Sequence, residues 1–209
     1  MSAARTPRDE RRRRLGQHFL GSELADALVD EASIRPGELV VEIGAGRGAL
    51  THALARRGAQ VVAIEKDPDW ADRLRREVTP NVTVVCCDVL DFRLPRRPFR
   101  ALGSIPFGAT TAILRRLLDD PDGALQRADL VVQWEVARKR AATPPATMLS
   151  TTWVPWWTFE VGRRIPARAF RPVPAVDAAV LCVRRRTPPL LPDRMAPAYG
   201  TFVRRQWRS

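Results

Sequence analysis

Between residues 38 and 133 short apolar runs rich in valine, isoleucine and alanine alternate with stretches of helical apolar spacing. "ELVVEIGAG" reads as a buried strand ending in glycines and "RGALTHALARRG" as a helix closed by Gly58. "AQVVAIEKD" is a second strand, and "PDWADRLRREV" a helix opening on Pro68. "NVTVVCCDVLDF" and "FRALGSIPF" follow as strands, "TTAILRRLLDD" as a helix, and "ADLVVQWEVARKRAA" begins extended and ends helical. Strands that alternate with helices rejoin one another in parallel, with helices covering both faces of the sheet. The expected fold is therefore α/β, and ligands of such sheets bind beyond the carboxyl ends of the strands.

The flanks are less regular. Residues 21–33 have helical spacing that "RPGE" breaks, and residues 1–14 are polar and end in "RRRR", either a solvated tail or an arm that touches phosphates. "TTWVPWWTFEV" and "IPARAFRPVPAVDAAVLCVRRR" carry two extended apolar segments, expected to finish the sheet as an antiparallel pair. Trp153, Trp156 and Trp157 are expected to pack those strands rather than stack on bases. "TPPLLPDR" reads as a linker and "MAPAYGTFVRRQWRS" as a helix. The expected organisation is a basic tail at 1–14, a catalytic domain at 15–186, and a linker with the start of a truncated helical segment at 187–209.

Composition limits the partners. The 209 residues carry a net charge of +12, which draws polyanions, and every basic residue except Lys66 and Lys139 is arginine. Three cysteines, two of them adjacent, make neither a disulfide framework nor a zinc spacing and point to a reducing cytoplasm. His18 and His52 stand apart, so no metal is expected. No apolar run reaches the roughly 18 residues of a membrane span, so no membrane partner is expected either.

The candidate site begins with "VEIGAGRG". Gly44, Gly46 and Gly48 permit a tight turn close to a ligand, but the third glycine comes one residue too early for the G-x-G-x-x-G pyrophosphate loop. Glu65, about twenty residues on, stands where a carboxylate takes a ribose diol. Asp88 sits at the end of the third strand, in "CCDV", placed to accept from an exocyclic adenine amine. A glycine loop, a Glu and an Asp at three consecutive strand ends suit a nucleoside with an amino-acid tail, S-adenosylmethionine. Lys66 and Val89 belong to the same expected cofactor wall.

"GSIPFGATT" (103–111) supplies the other half. Pro106 stiffens a strand exit that carries a hydroxyl and an aromatic ring. An adenine amine is a poor nucleophile because its lone pair is delocalised into the ring. It reacts usefully only when held in line, with acceptors drawing its N–H bonds towards a tetrahedral shape. The Ser104 hydroxyl or carbonyl and the Ile105 carbonyl are the candidate acceptors, and Phe107 is the candidate stacking surface for a flipped base.

"LGQHFL", "VEIGAGRGALT", "AIEKDP", "CCDVLDF", "GSIPF" and "FRPVPAVDAAV" occur in the order found in the rRNA adenine-N6 methyltransferases. The chain resembles the erythromycin-resistance type most closely, with the small-subunit dimethyladenosine transferases as cousins. The resemblance implies a class I S-adenosylmethionine-dependent fold with a mostly parallel seven-stranded sheet. It implies that Gln17, His18, Leu20, Gly44 and Gly46 lie along the cofactor, with Glu65 on the ribose and Asp88 on the adenine. Ser104 would link cofactor to target amine. The implied substrate is one adenine of 23S rRNA in the peptidyl-transferase region, whose methylation blocks macrolides, lincosamides and streptogramin B. The protein is expected to act as a monomer.

Two positions depart from the family pattern, which usually has Asn at both 18 and 104. Family members also carry a C-terminal helical domain, of which this chain holds the first turns. Arg11, Arg12, Arg13, Arg14, Arg138, Arg140, Arg163 and Arg164 are the expected RNA contacts. Together with "PRRPFR" (95–100), these basic patches are expected near the active edge. A small-subunit enzyme and a non-catalytic RNA-binding protein are the alternative readings.

Overall fold

The computed structural model describes residues 18–207. Its centre is a seven-stranded sheet in the order β4-β3-β2-β5-β6-β9-β7. The strands are β2 (Leu39–Ile43), β3 (Gln60–Glu65), β4 (Val82–Cys86), β5 (Phe99–Ser104), β6 (Leu125–Gln133), β7 (Trp157–Ile165) and β9 (Ala178–Arg185). β4, β3, β2, β5 and β6 run parallel, while β9 is antiparallel to both β6 and β7. The final pair is antiparallel as expected, but the later strand, β9, is the one inserted beside β6.

The helices are α1 (Ser22–Ala32), α2 (Ala49–Arg56), α3 (Pro68–Glu77), α4 (Thr110–Leu118), α5 (Trp134–Arg140), α6 (Met148–Trp153) and α7 (Ala196–Gln206). Each forms for a local reason. α3 has Pro68 in its first turn and Asp67 as cap, whose carboxylate accepts from the Asp69 N–H. α1 stops at Ser33, which turns left-handed at φ 55°. The apolar stripes of these helices bury two cores, one on each face of the sheet.

Three readings of the sequence need correction. "TTW" (151–153) is helical, because Thr147 caps α6 by accepting from the Ser150 N–H, and the strand begins only at Trp157. The third strand ends at Cys86, leaving Asp88 in the turn beyond it. "IPARAFRPVPAVDAAV" is not one extended segment. After a 3₁₀ turn at Ala167–Ala169, β8 (Phe170–Arg171) leaves the main sheet and pairs with β1 (Phe19–Leu20). The tryptophans pack as expected: Trp153, Trp156 and Trp157 are buried, and the Trp157 indole donates to the Leu118 carbonyl at the end of α4. α7 docks on α6, with Tyr199 edge-on to Trp156. No helix among the described residues is long and apolar enough to cross a membrane.

Candidate active site

The chain lays β2, β3 and β4 outward in one direction, then returns to place β5 and β6 on the other side of β2. The switch between β2 and β5 opens a crevice at the carboxyl ends of the strands. Gly44 leaves β2 at φ 76°, and a Cβ there would stand 3.3 Å from the Ser104 carbonyl oxygen. The glycine loop therefore lies against the end of β5. Its Gly44 and Ala45 amides donate to the Ile64 carbonyl, which ties the loop to β3 as well.

Glu65 closes β3 and is almost fully buried. Its carboxylate accepts from the Gly46 N–H at 2.7 Å and from the Asp67 N–H at 2.8 Å. Burial pushes this carboxyl above the usual range, while those backbone donors pull it back. Asp88 accepts from the Lys66 ammonium at 2.6 Å and from the Leu90 N–H at 3.0 Å. The Lys66 hydrogen bond is the main cause that holds Asp88 below the usual carboxylate range, and Asp88 in turn raises Lys66.

A cavity of about 530 Å³ brings the predicted residues together: His18, Leu20, Gly44, Gly46, Glu65, Lys66, Asp88, Val89, Ser104, Ile105, Pro106 and Phe107 all line it. Gln17 lies outside the described residues. Ser104 is the last residue of β5, and Ile105 is buried with its N–H on the Val131 carbonyl. The loop then folds into a 3₁₀ turn at Phe107–Ala109, where the Thr110 hydroxyl donates to the Phe107 carbonyl. Phe107 is half-buried, with its ring centroid 5.7 Å from that of His18.

The pairing of β1 with β8 sets "FRP" (170–172) against "HFL" (18–20), which lines the cavity. Phe19 pairs with Arg171 and Leu20 with Phe170, and His18 Nδ1 lies 2.8 Å from the Pro172 carbonyl oxygen. Phe19 also packs edge-on to Trp70 with the Arg47 guanidinium over its ring. A Cβ on Gly46 would meet that ring at 2.9 Å.

Sequence reasoning missed Glu42. It lies in the middle of β2, fully buried, and lines the cavity. The Thr51 hydroxyl donates to its Oε2 at 2.6 Å, while Oε1 has no hydrogen-bond partner among the described residues. Burial pushes its carboxyl up to about 8. The signal was present in "VVEI", since an acid inside a strand buried on both faces is costly unless the site uses it.

The basic residues divide. Arg11, Arg12, Arg13 and Arg14 lie outside the described residues. Arg138 and Lys139 are exposed on α5, which follows β6 at the active edge. Arg163 is paired with Glu31, and Arg164 is paired with Asp177 and stacked over Trp134. Arg140 is half-buried, bonded to Thr147 and stacked on Trp153, so it braces α5 against α6. "PRRPFR" does not lie at the active edge: residues 95–98 precede β5 and so sit at the opposite end of the strands. Arg100 is occupied there by the Ala32 and Ser33 carbonyls, Glu38 and Asp129.

Comparison with known proteins agrees with this geometry. A family described as "Ribosomal RNA adenine dimethylase" matches residues 8–207. An rRNA adenine N-6-methyltransferase of Corynebacterium diphtheriae is 42% identical over 190 residues, covering 90% of this chain and 74% of the relative. Mycinamicin-resistance protein MyrB of Micromonospora griseorubida is 40% identical over 200 residues, covering 95% of this chain and 64% of that protein. Among solved structures, the 23S rRNA methyltransferase ErmE superposes with a TM-score of 0.80 at 36% identity, covering 89% of this chain and 77% of ErmE. With the glycine loop, Glu65, Asp88 and the "SIPF" exit gathered around one cavity, the chain belongs to the ribosomal RNA adenine dimethylase family.

Proposed function

We propose that this protein methylates N6 of an adenine in the peptidyl-transferase region of 23S rRNA, using S-adenosylmethionine, and thereby confers macrolide, lincosamide and streptogramin B resistance. The observation that carries the reading is the single cavity in which Glu65 and Asp88 face the "SIPF" loop across the glycine turn. The residues fit the cofactor. Glu65 keeps lone pairs for the ribose hydroxyls, Asp88 and its neighbour Val89 flank the place for the adenine, and Glu42 holds an unpaired buried oxygen in the wall. When bound, the cofactor supplies an electrophilic methyl group on a sulfonium.

The chain's own residues supply the positioning. Ser104 and the Ile105 carbonyl accept from the target amine, and the 3₁₀ turn behind them keeps these acceptors fixed. Phe107 offers its ring to the flipped base. Residues 15–186 form the catalytic unit. Arg138 and Lys139 neutralise phosphates near the cavity.

The test is transfer of labelled methyl from S-adenosylmethionine to protein-free 23S rRNA, with 16S rRNA and intact small subunits in parallel. Label on one 23S adenine is the expected result. Label confined to the small-subunit RNA would move the protein to the maturation enzymes, and RNA binding without label would leave a binding protein.

A further inference from the structure

Methylating an amine releases a proton, and few groups around this cavity can take it. The Ser104 hydroxyl and the Ile105 carbonyl accept hydrogen bonds but do not hold a proton near neutral pH. Glu65 has both carboxylate oxygens on backbone donors, and Asp88 is held acidic by Lys66. Glu42 already carries its own proton below about pH 8, and burial pushes the Cys87 thiol up. His18 remains. A carbonyl only accepts, so the 2.8 Å contact with Pro172 places a hydrogen on Nδ1 and, in the neutral ring, leaves the free lone pair on Nε2. The ring lines the cavity beside Phe107, and among the described residues Nε2 has no hydrogen-bond partner.

We propose that His18 Nε2 accepts the N6 proton during methyl transfer. This rests on the methyltransferase reading above. The amine lone pair forms the new C–N bond as the C–S electron pair leaves with sulfur. The amine proton then passes to Nε2, and the imidazolium returns it to water. The charged or titratable groups on the surrounding elements are Arg171 on β8, Arg47 on the glycine loop, and Glu42, Glu65, Lys66, Cys87 and Asp88 around the cavity. All of them are common to the wild type and a His18 variant, so the difference between the two pH profiles isolates His18.

His18→Asn keeps a side-chain N–H for the Pro172 carbonyl and removes the basic nitrogen. Its affinities for S-adenosylmethionine and for 23S rRNA should stay within about twofold of wild type. Its single-turnover rate should fall at least about tenfold, and the acid limb expected of the wild-type pH–rate profile should be lost. A readout independent of turnover comes from imidazole NMR, which is simple because the chain has two histidines. A 23S rRNA fragment added with S-adenosylhomocysteine should shift the His18 Nε2 resonance and leave His52 unmoved. A variant as fast as wild type, a retained acid limb or an unmoved Nε2 would overturn the proposal while leaving the methyltransferase reading intact. A wild type that methylates no RNA would overturn both.

Discussion

The amide of Gly46 donates to Glu65 Oε2 at 2.7 Å, so the glycine loop after β2 and the carboxylate that ends β3 form one hydrogen-bonded unit. A ligand that engages Glu65 therefore also steadies the loop. Glu65→Ala removes the proposed ribose acceptor and strands two backbone N–H groups. Hydrogen bonds to a charged group contribute about 1.5–3 kcal/mol. Cofactor affinity measured by calorimetry should drop at least about tenfold, and the thermal midpoint should fall with it.

Glu42 makes stability depend on pH. Its carboxyl is raised from 4.5 to about 8, so the folded state holds a proton that the unfolded chain has released. The stabilisation is complete below about pH 4.5 and is lost as pH rises through about 8, by at most about 1.4 kcal/mol per pH unit. Glu65 is raised too and acts in the same direction in both proteins compared. Glu42→Gln imitates the protonated form and keeps an acceptor for Thr51. Thermal unfolding should show it close to wild type at pH 5 and more stable than wild type at pH 9.

Ser104 is expected to act on the chemical step alone. Ser104→Ala should leave cofactor affinity and the thermal midpoint unchanged, because among the described residues that hydroxyl makes no hydrogen bond within the fold. Single-turnover methylation should slow by about tenfold to a hundredfold, the scale of a lost positioned polar contact. A variant as fast as wild type would transfer the acceptor role to the Ile105 carbonyl.

Two arginines of α5 separate RNA affinity from stability. Arg138 is exposed and pairs within its own helix with Glu135. Arg138→Ala should weaken RNA binding and flatten the log–log salt slope by roughly 0.7–0.9 without moving the thermal midpoint. Arg140 is half-buried between Thr147 and Trp153, so Arg140→Ala should cost about 1–3 kcal/mol of stability in denaturant titration.

Two glycines test the packing of β5. A Cβ on Gly103 would collide with the Ile43 carbonyl of β2, whereas one on Gly108 meets nothing within 4 Å. Gly103→Ala should force the central strands apart and lower the yield of soluble, folded protein. Gly108→Ala should unfold at the wild-type temperature.

Local pattern carried most of the architecture. Continuous apolar runs and punctuation by Gly58 and Pro68 were sufficient to place β2 to β6 and their helices, because each signal acts over a few residues. Misreadings came where tertiary contacts override local preference. The β-branched, aromatic "TTW" became helical because Thr147 caps it and Trp153 is anchored on Asp119. "FR" at 170–171 left the main sheet because β1 was available to pair with it.

The sequence by itself determined the alternation of strand and helix from β2 to β6, the glycine loop, Glu65 and Asp88 at successive strand exits, and the positive charge. Each is a property of spacing or composition. Only the tertiary structure decided which residues meet. The β2–β5 switch sets Gly44 against Ser104, the β1–β8 pair brings His18 to Pro172 across more than a hundred residues, and burial raises the Glu42 carboxyl. Hydrogen bonding and desolvation act between atoms close in space, and separation along the chain does not encode that closeness.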